Sequence, residues 1–260
     1  VITIAEASQL ASGSSLCMNT ALSLTASANE YVTYAWYEGT DISGTSIHEG
    51  ATYVPSTAFA GTYTYTVQAT DSCGNTSTVS YTYTVYSLPE VTITIQTTDI
   101  VTLIVNVATT GNYQYQWCEK ESETSYSPIT NATSNTYTPD ITTVGTSTYA
   151  VIVTDENGCK DTADVSVNSY NVTLTSAGNL DGMNPILSGA GVYAQNTSVT
   201  LIASILEGHS FTWNVTPSIL SYTSGVNAAG DQTITFVMPA SDVTIQANYD
   251  ATEYTLEISH

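Results

Sequence analysis

The chain has 260 residues, with 23 acids against 2 bases and a formal net charge of −21. The two bases are Lys120 and Lys160, and Arg is absent. Phosphate binding releases counterions through Lys and Arg, so this balance argues against nucleic acid and disfavours an anionic membrane surface. No apolar run approaches the ~18 residues of a membrane span, so no membrane insertion is expected. At ~100–200 residues per domain the length allows two or three domains.

Strand signals run through the whole chain. The first segment places strands near 2–5, 21–27, 32–38, 51–54, 62–70 and 78–86. Thr62-Tyr63-Thr64-Tyr65-Thr66-Val67 and Ser80-Tyr81-Thr82-Tyr83-Thr84-Val85 alternate hydroxyl residues with aromatic or aliphatic ones. That period of two puts one face on a core and the other in water. Tyr86-Ser87-Leu88-Pro89-Glu90 then reads as a short, stiff, Pro-containing hinge, which predicts modules held end to end. The second segment places strands near 91–97, 100–108, 113–118, 136–138, 148–154 and 162–168. A third begins at Tyr170-Asn171-Val172-Thr173-Leu174, crosses a Gly-rich stretch over 178–191, and continues with Ser198–Ala203 and Thr233–Tyr249. No helical period extends beyond one turn. The fold class expected is all-β: tandem Ig-like β-sandwich modules followed by a small β-rich repeat domain.

The first two segments are copies of one another. Tyr53, Gly61 and Asp71 recur as Tyr137, Gly145 and Asp155, an offset of 84 in each case (137 − 53, 145 − 61, 155 − 71). The pair Trp36 and Trp117 is offset by 81 (117 − 36). A fixed period with a small slip marks one module used twice. The domains expected are 1–88, 89–169 and 170–250. Tyr254-Thr255-Leu256-Glu257-Ile258 echoes Tyr170-Asn171-Val172-Thr173-Leu174, so 251–260 reads as the start of a further repeat. Modules near 80 residues bury only ~60–65% of their unfolded surface, so staples would help.

Cys17, Cys73, Cys118 and Cys159 are the disulfide candidates, because their number is even and none forms a C-x-x-C pair. Geometry leaves their pairing open. In a simple Ig-type sandwich Cys17 and Cys73 fall at opposite ends, too far apart for the ~7 Å a bridge allows. Either the strand order departs from that scheme, or Cys17 reaches Cys159 in the second copy. Asp155, Glu156 and Asp161 crowd one hairpin with Asn157, which suits calcium, the one cofactor considered; the alternative is a solvated turn at Asn157-Gly158. His48, His209 and His260 are scattered, and no Gly-x-Ser-x-Gly or His-Glu-x-x-His motif occurs, so no catalytic residue is assigned. Trp36 and Trp117 occupy the core slot of a sandwich. Tyr31, Tyr53 and Tyr126, in or near loops, are the contact candidates.

Residues 17–85 resemble Ig-like and PKD-like modules of secreted Bacteroidota proteins, through Cys17, Tyr34-Ala35-Trp36-Tyr37, Gly61-Thr62-Tyr63 and Thr70-Asp71-Ser72-Cys73-Gly74. Tyr149-Ala150-Val151-Ile152-Val153-Thr154-Asp155-Glu156-Asn157-Gly158-Cys159 is similar to repeats of giant gliding-motility adhesins. The third segment resembles the internalin B-repeat, through Glu207-Gly208-His209-Ser210-Phe211-Thr212-Trp213 and the closing Phe236–Tyr249 strand. The resemblance implies disulfides within modules, Cys17–Cys73 and Cys118–Cys159. It implies a non-enzymatic structural or adhesive segment of a large modular surface protein, extracellular or at the cell surface, exported by a type IX system. Its partners would be neighbouring modules, a homo-oligomer or fibre, and surface glycans or proteins. The rival readings are a carbohydrate-binding accessory region of a secreted enzyme and a viral fibre segment.

Overall fold

The computed structural model describes residues 4–6, 12–29, 31–180 and 182–252. His260 and the echo at 254–258 lie outside them. The fold is all-β, with 22 strands and no helix among the described residues. Two compact units form. Unit 1 comprises Val1–Glu90, Val107–Gln114 and Val153–Asp161, and unit 2 comprises Val91–Asn106, Tyr115–Ile152 and Thr162–His260.

Unit 1 contains β1 (Ile4–Glu6), β2 (Ser15–Cys17), β3 (Leu24–Ala28), β4 (Val32–Glu38), β5 (His48–Glu49), β6 (Thr52–Tyr53), β7 (Gly61–Asp71) and β8 (Thr76–Tyr86). They form sheets of order β2-β8-β7-β4-β5 and β1-β3-β6. The alternation in β7 and β8 explains their pairing: Tyr63 stands opposite Tyr83 and Tyr65 opposite Tyr81. The aromatic positions turn to a core of Leu24, Trp36, Tyr65, Val67, Tyr81, Tyr83 and Val85. The alternate positions carry a hydroxyl ladder, with Thr62 Oγ1 3.2 Å from that of Thr84 and Thr64 Oγ1 2.9 Å from that of Thr82. The short β2 was not expected from the sequence. It runs parallel to β8, with Leu16 opposite Val85 and Cys17 opposite Tyr86.

The remaining strands are β9 (Val91–Thr97), β10 (Val101–Val107), β11 (Gln114–Lys120), β12 (Tyr126–Pro128), β13 (Thr136–Tyr137), β14 (Gly145–Thr154), β15 (Lys160–Gly178), β16 (Leu187–Ser188), β17 (Gly191–Ala194), β18 (Ser198–Ala203), β19 (His209–Thr216), β20 (Tyr222–Val226), β21 (Gln232–Val237) and β22 (Val243–Ala251). They form sheets of order β13-β10-β9, β12-β11-β14-β15-β22-β19 with β17 beside β15, and β16-β18-β21-β20.

The sequence repeat places a module boundary between residues 169 and 170. The chain crosses that point inside β15, a single strand of 19 residues. Its first part lies beside β14. Its last part, Val172–Gly178, pairs in parallel with Val243–Tyr249 of β22. Buried positions fall on Val167 and Ser169, then on Val172, so the alternation shifts phase where one core gives way to the next. Ser169 Oγ donates to the carbonyls of Thr143 at 2.7 Å and Gly145 at 3.1 Å, which satisfies a buried hydroxyl. The third segment closes over Val199, Leu201, Ile234, Phe236, Met238, Val243 and Ile245. Gly178 lies in the left-handed region at φ +95°, and a Cβ there would stand 2.0 Å from the Tyr249 carbonyl oxygen.

Candidate functional site

Three hairpins turn in the same way. Asp71 Oδ1 accepts the backbone N–H of Cys73 at 2.8 Å and of Asn75 at 2.9 Å. Asp155 Oδ1 accepts those of Asn157 at 2.9 Å and Cys159 at 2.8 Å. Asn227 Oδ1 does the same for Ala229 and Asp231, both at 2.9 Å. The fourth residue is glycine each time, with φ of +83° at Gly74, +81° at Gly158 and +94° at Gly230. Asp and Asn start such turns because the side chain caps the following N–H groups, and the left-handed fourth position favours Gly.

The turn at Asp155 delivers Cys159 to Cys17. The two form a disulfide with Cα atoms 5.5 Å apart, across 142 residues of sequence. Both belong to unit 1. Parallel pairing of β2 with the end of β8 fixes Cys17, and the Met18 N–H donates to the Tyr86 carbonyl at 2.9 Å. Cys73 and Cys118 are free thiols, the first exposed and the second buried. The within-module pairs Cys17–Cys73 and Cys118–Cys159 are therefore not formed. The reason is positional. Counted along the turn, Cys73 matches Asn157 at the exposed tip, whereas Cys159 matches Asn75 at the start of the returning strand. Cys118 sits in β11, where burial pushes its thiol upward, away from the reactive thiolate.

The calcium residues are not gathered into a ligand set. Asp155 spends Oδ1 on two N–H groups of its own turn. Among the described residues no group of three His, Cys, Asp or Glu side chains is placed to hold a metal ion.

The tyrosine candidates separate. Tyr31 is 99% exposed. Tyr53 is not a loop contact: it packs on the core of unit 1, 5.8 Å from the Trp36 ring and 5.1 Å from Tyr65. Its place in β6, opposite Leu24, turns it inward. Tyr126 lies half-buried in β12, opposite Lys120. The Trp36–Tyr53–Tyr65 row recurs as Trp117–Tyr137–Tyr149, with both spacings 5.6 Å. Trp36 Nε1 donates to the Gly50 carbonyl at 2.8 Å and Trp117 Nε1 to that of Ser134 at 2.9 Å. Both indoles are fully buried and satisfied.

His48 lies in β5 of unit 1, its ring 5.6 Å from Tyr53. His209 opens β19 in unit 2, with Nδ1 3.0 Å from the Glu207 carbonyl. Unit 2 also holds a cleft of about 430 Å³, where Ile100, Pro139, Val192 and Tyr193 meet Asp99 and Asp140. Thr138, Thr197 and the Tyr193 phenol add hydroxyls to its lining.

The family model for the divergent InlB B-repeat domain matches residues 170–253, the segment from the second part of β15 through β22. No curated protein sequence matches the chain. Among solved structures, the fibronectin(III)-like modules of Clostridium thermocellum CbhA share 12% identity at a TM-score of 0.35, covering 63% of this chain and 92% of that one. A three-Ig structure of titin shares 8% at 0.30, covering 96% and 99%. A Bacteroides ovatus mixed-linkage glucan utilization locus protein, SGBP-B in complex with a mixed-linkage heptasaccharide, shares 16% at 0.25, covering 97% and 69%. The fold class rests on the strands and sheets themselves: a chain of Ig-like β-repeats that ends in a B-repeat-like segment.

Proposed function

We propose that this chain is a non-enzymatic, tension-carrying segment of a large modular adhesin, outside the cell or on its surface. Export by a type IX system fits the same reading. The observation that carries it is a covalent and hydrogen-bonded route through the chain. Pull enters at β2, crosses from Cys17 to Cys159, and continues at the next residue into β15. That strand runs without a linker into the B-repeat-like segment, where β22 pairs alongside it. Tension on this route bypasses the residues between the two cysteines. Disulfides persist in oxidising compartments, which suits an extracellular setting. The near-absence of Lys and Arg leaves little for trypsin-like proteases there.

In this reading the segment spaces and holds, and the surface glycans or proteins that the adhesin grips are bound by other modules. A glycan array followed by isothermal titration tests it. The expected result is no glycan bound at millimolar affinity or better. Binding at that level, abolished by Tyr31→Ala, would instead make this an accessory binding region.

A further inference from the structure

Edge strands carry unpaired N–H and C=O groups, and proteins guard them by keeping them short or placing charges and Pro on them. Among the described residues the edge strands have two to four residues, except β9, β19 and β20. β9 lies between Glu90 and Asp99, and Ser198 N–H bonds to the Thr98 carbonyl at its end at 2.7 Å. β19 runs directly into Pro217, whereas β20 carries neither charge nor Pro. From Gly208 to Gly230 there is no Asp, Glu, Lys or Arg, in a chain with 23 acids. Each of these two strands ends a different sheet of unit 2.

β20 is also uncovered on the side that should be buried. Tyr222 stands opposite Phe236 and Ser224 opposite Ile234, and both β21 partners point into the core. Directly opposed side chains share a face, so Tyr222, Ser224 and Val226 lie on the core side of the sheet. Yet Tyr222 is 45% exposed and Val226 60%. Two apolar side chains on the core side of this edge thus stay open to solvent among the described residues.

We infer that β20 is a homotypic docking edge, at which a second copy adds its own β20 antiparallel about a two-fold axis at Ser224. In that register Tyr222 of each copy faces Val226 of the other. This gives two aromatic–β-branched pairs from the two exposed side chains, the kind of cross-strand pair that stabilises sheets. Thr223 faces Gly225 on the other side, so no bulk clashes there. Self-complementarity selects a second copy over a foreign strand. Charge agrees: a basic partner would be drawn to the acidic surface elsewhere, whereas this stretch is neutral. Each copy has a net charge of −21, so association strengthens with salt, as the Debye length falls from ~10 Å at 0.1 M to ~3 Å at 1 M. The inference stands apart from the tension-carrying reading and survives its failure.

Sedimentation equilibrium of the full chain tests it, over concentrations up to ~200 µM in about 1 M salt, where repulsion is screened. The expected result is a monomer–dimer equilibrium that weakens at least about tenfold in Val226→Asp, with an unchanged melting temperature because the site is exposed. A second variant reads the register. In a Cys73→Ser background, Ser224→Cys places the two new thiols opposite each other, and mild oxidation yields a covalent dimer. Ser122→Cys in the same background stays monomeric. A monomer across the whole series, a dimer indifferent to Val226→Asp, or no crosslink through position 224 overturns the inference.

Discussion

Cys159 occupies in its turn the place that Asn75 occupies in the first. Each donates its backbone N–H to the Oδ1 of the aspartate four residues earlier, at 2.8 and 2.9 Å. This equivalence, rather than the shared residue name, decides the disulfide. Digestion without reduction, using a protease that cuts at acids, should release one linked pair containing Cys17 and Cys159. Closing a loop of 142 residues stabilises a fold by about 4–5 kcal/mol on the chain-entropy account. Cys17→Ala should lose most of that in urea unfolding, and Cys73→Ser should lose none.

The Asp155 side chain serves as a turn cap. Asp155→Ala should lower the melting temperature by a few degrees, because two N–H groups lose their acceptor. Asp155→Asn keeps an oxygen in that place and should melt close to wild type. The same melt in calcium and in EDTA tests the metal reading of the hairpin. A turn held by its own N–H groups melts alike in both, and a calcium-dependent rise would show the acids acting together.

Burial pushes the Tyr83 phenol up to about 12, and also pushes up those of Tyr65 and Tyr249. The native state therefore keeps protons that the unfolded chain gives up near pH ~10. Stability should be unaffected by these groups below pH ~10 and should fall steadily as pH rises from there towards ~12. Tyr83→Phe keeps the ring stacked on Tyr65, with centroids 6.1 Å apart in the wild type, and removes one titrating group. Its alkaline unfolding, followed by circular dichroism, should begin at higher pH.

Gly178 meets the Tyr249 backbone so closely that a side chain has no room. Gly178→Ala combines a clash with a left-handed backbone and should cost about 2 kcal/mol or more. Urea unfolding read through Trp213 checks this, since that ring packs in the same small cluster as Tyr249.

Most of the strand map was legible because β7 and β8 alternate with a period of two, which has one structural meaning, and β10 and β14 are short runs rich in β-branched residues. Trp36 and Trp117 followed from their mid-strand positions. The three-residue β2 carries no periodic signal and exists only through its pairing with β8. The continuity of β15 was hidden by Asn168-Ser169, a polar pair that looks like a break. Burial of Ser169, with its hydroxyl given to two carbonyls, keeps the strand going. Geometry had left Cys17–Cys159 open as one of two readings, and that is the pair formed; counting from Asp and Gly, rather than from Cys to Cys, sets Asn75 beside Cys159. The strand near 51–54 was legible, but so short a strand does not tell which face Tyr53 takes; its pairing opposite Leu24 turns it to the core.

Pulling the full chain from its two ends, before and after adding a reductant, tests the tension route most directly. Oxidised, the stretch enclosed by the cysteines, a sequence separation of 142, contributes no extension, however far the rest unfolds. Reduction should add about 500 Å of contour length, at ~3.5 Å per extended residue. Equal extension in the two states would mean that force never passes through Cys17 and Cys159, and the account would be wrong.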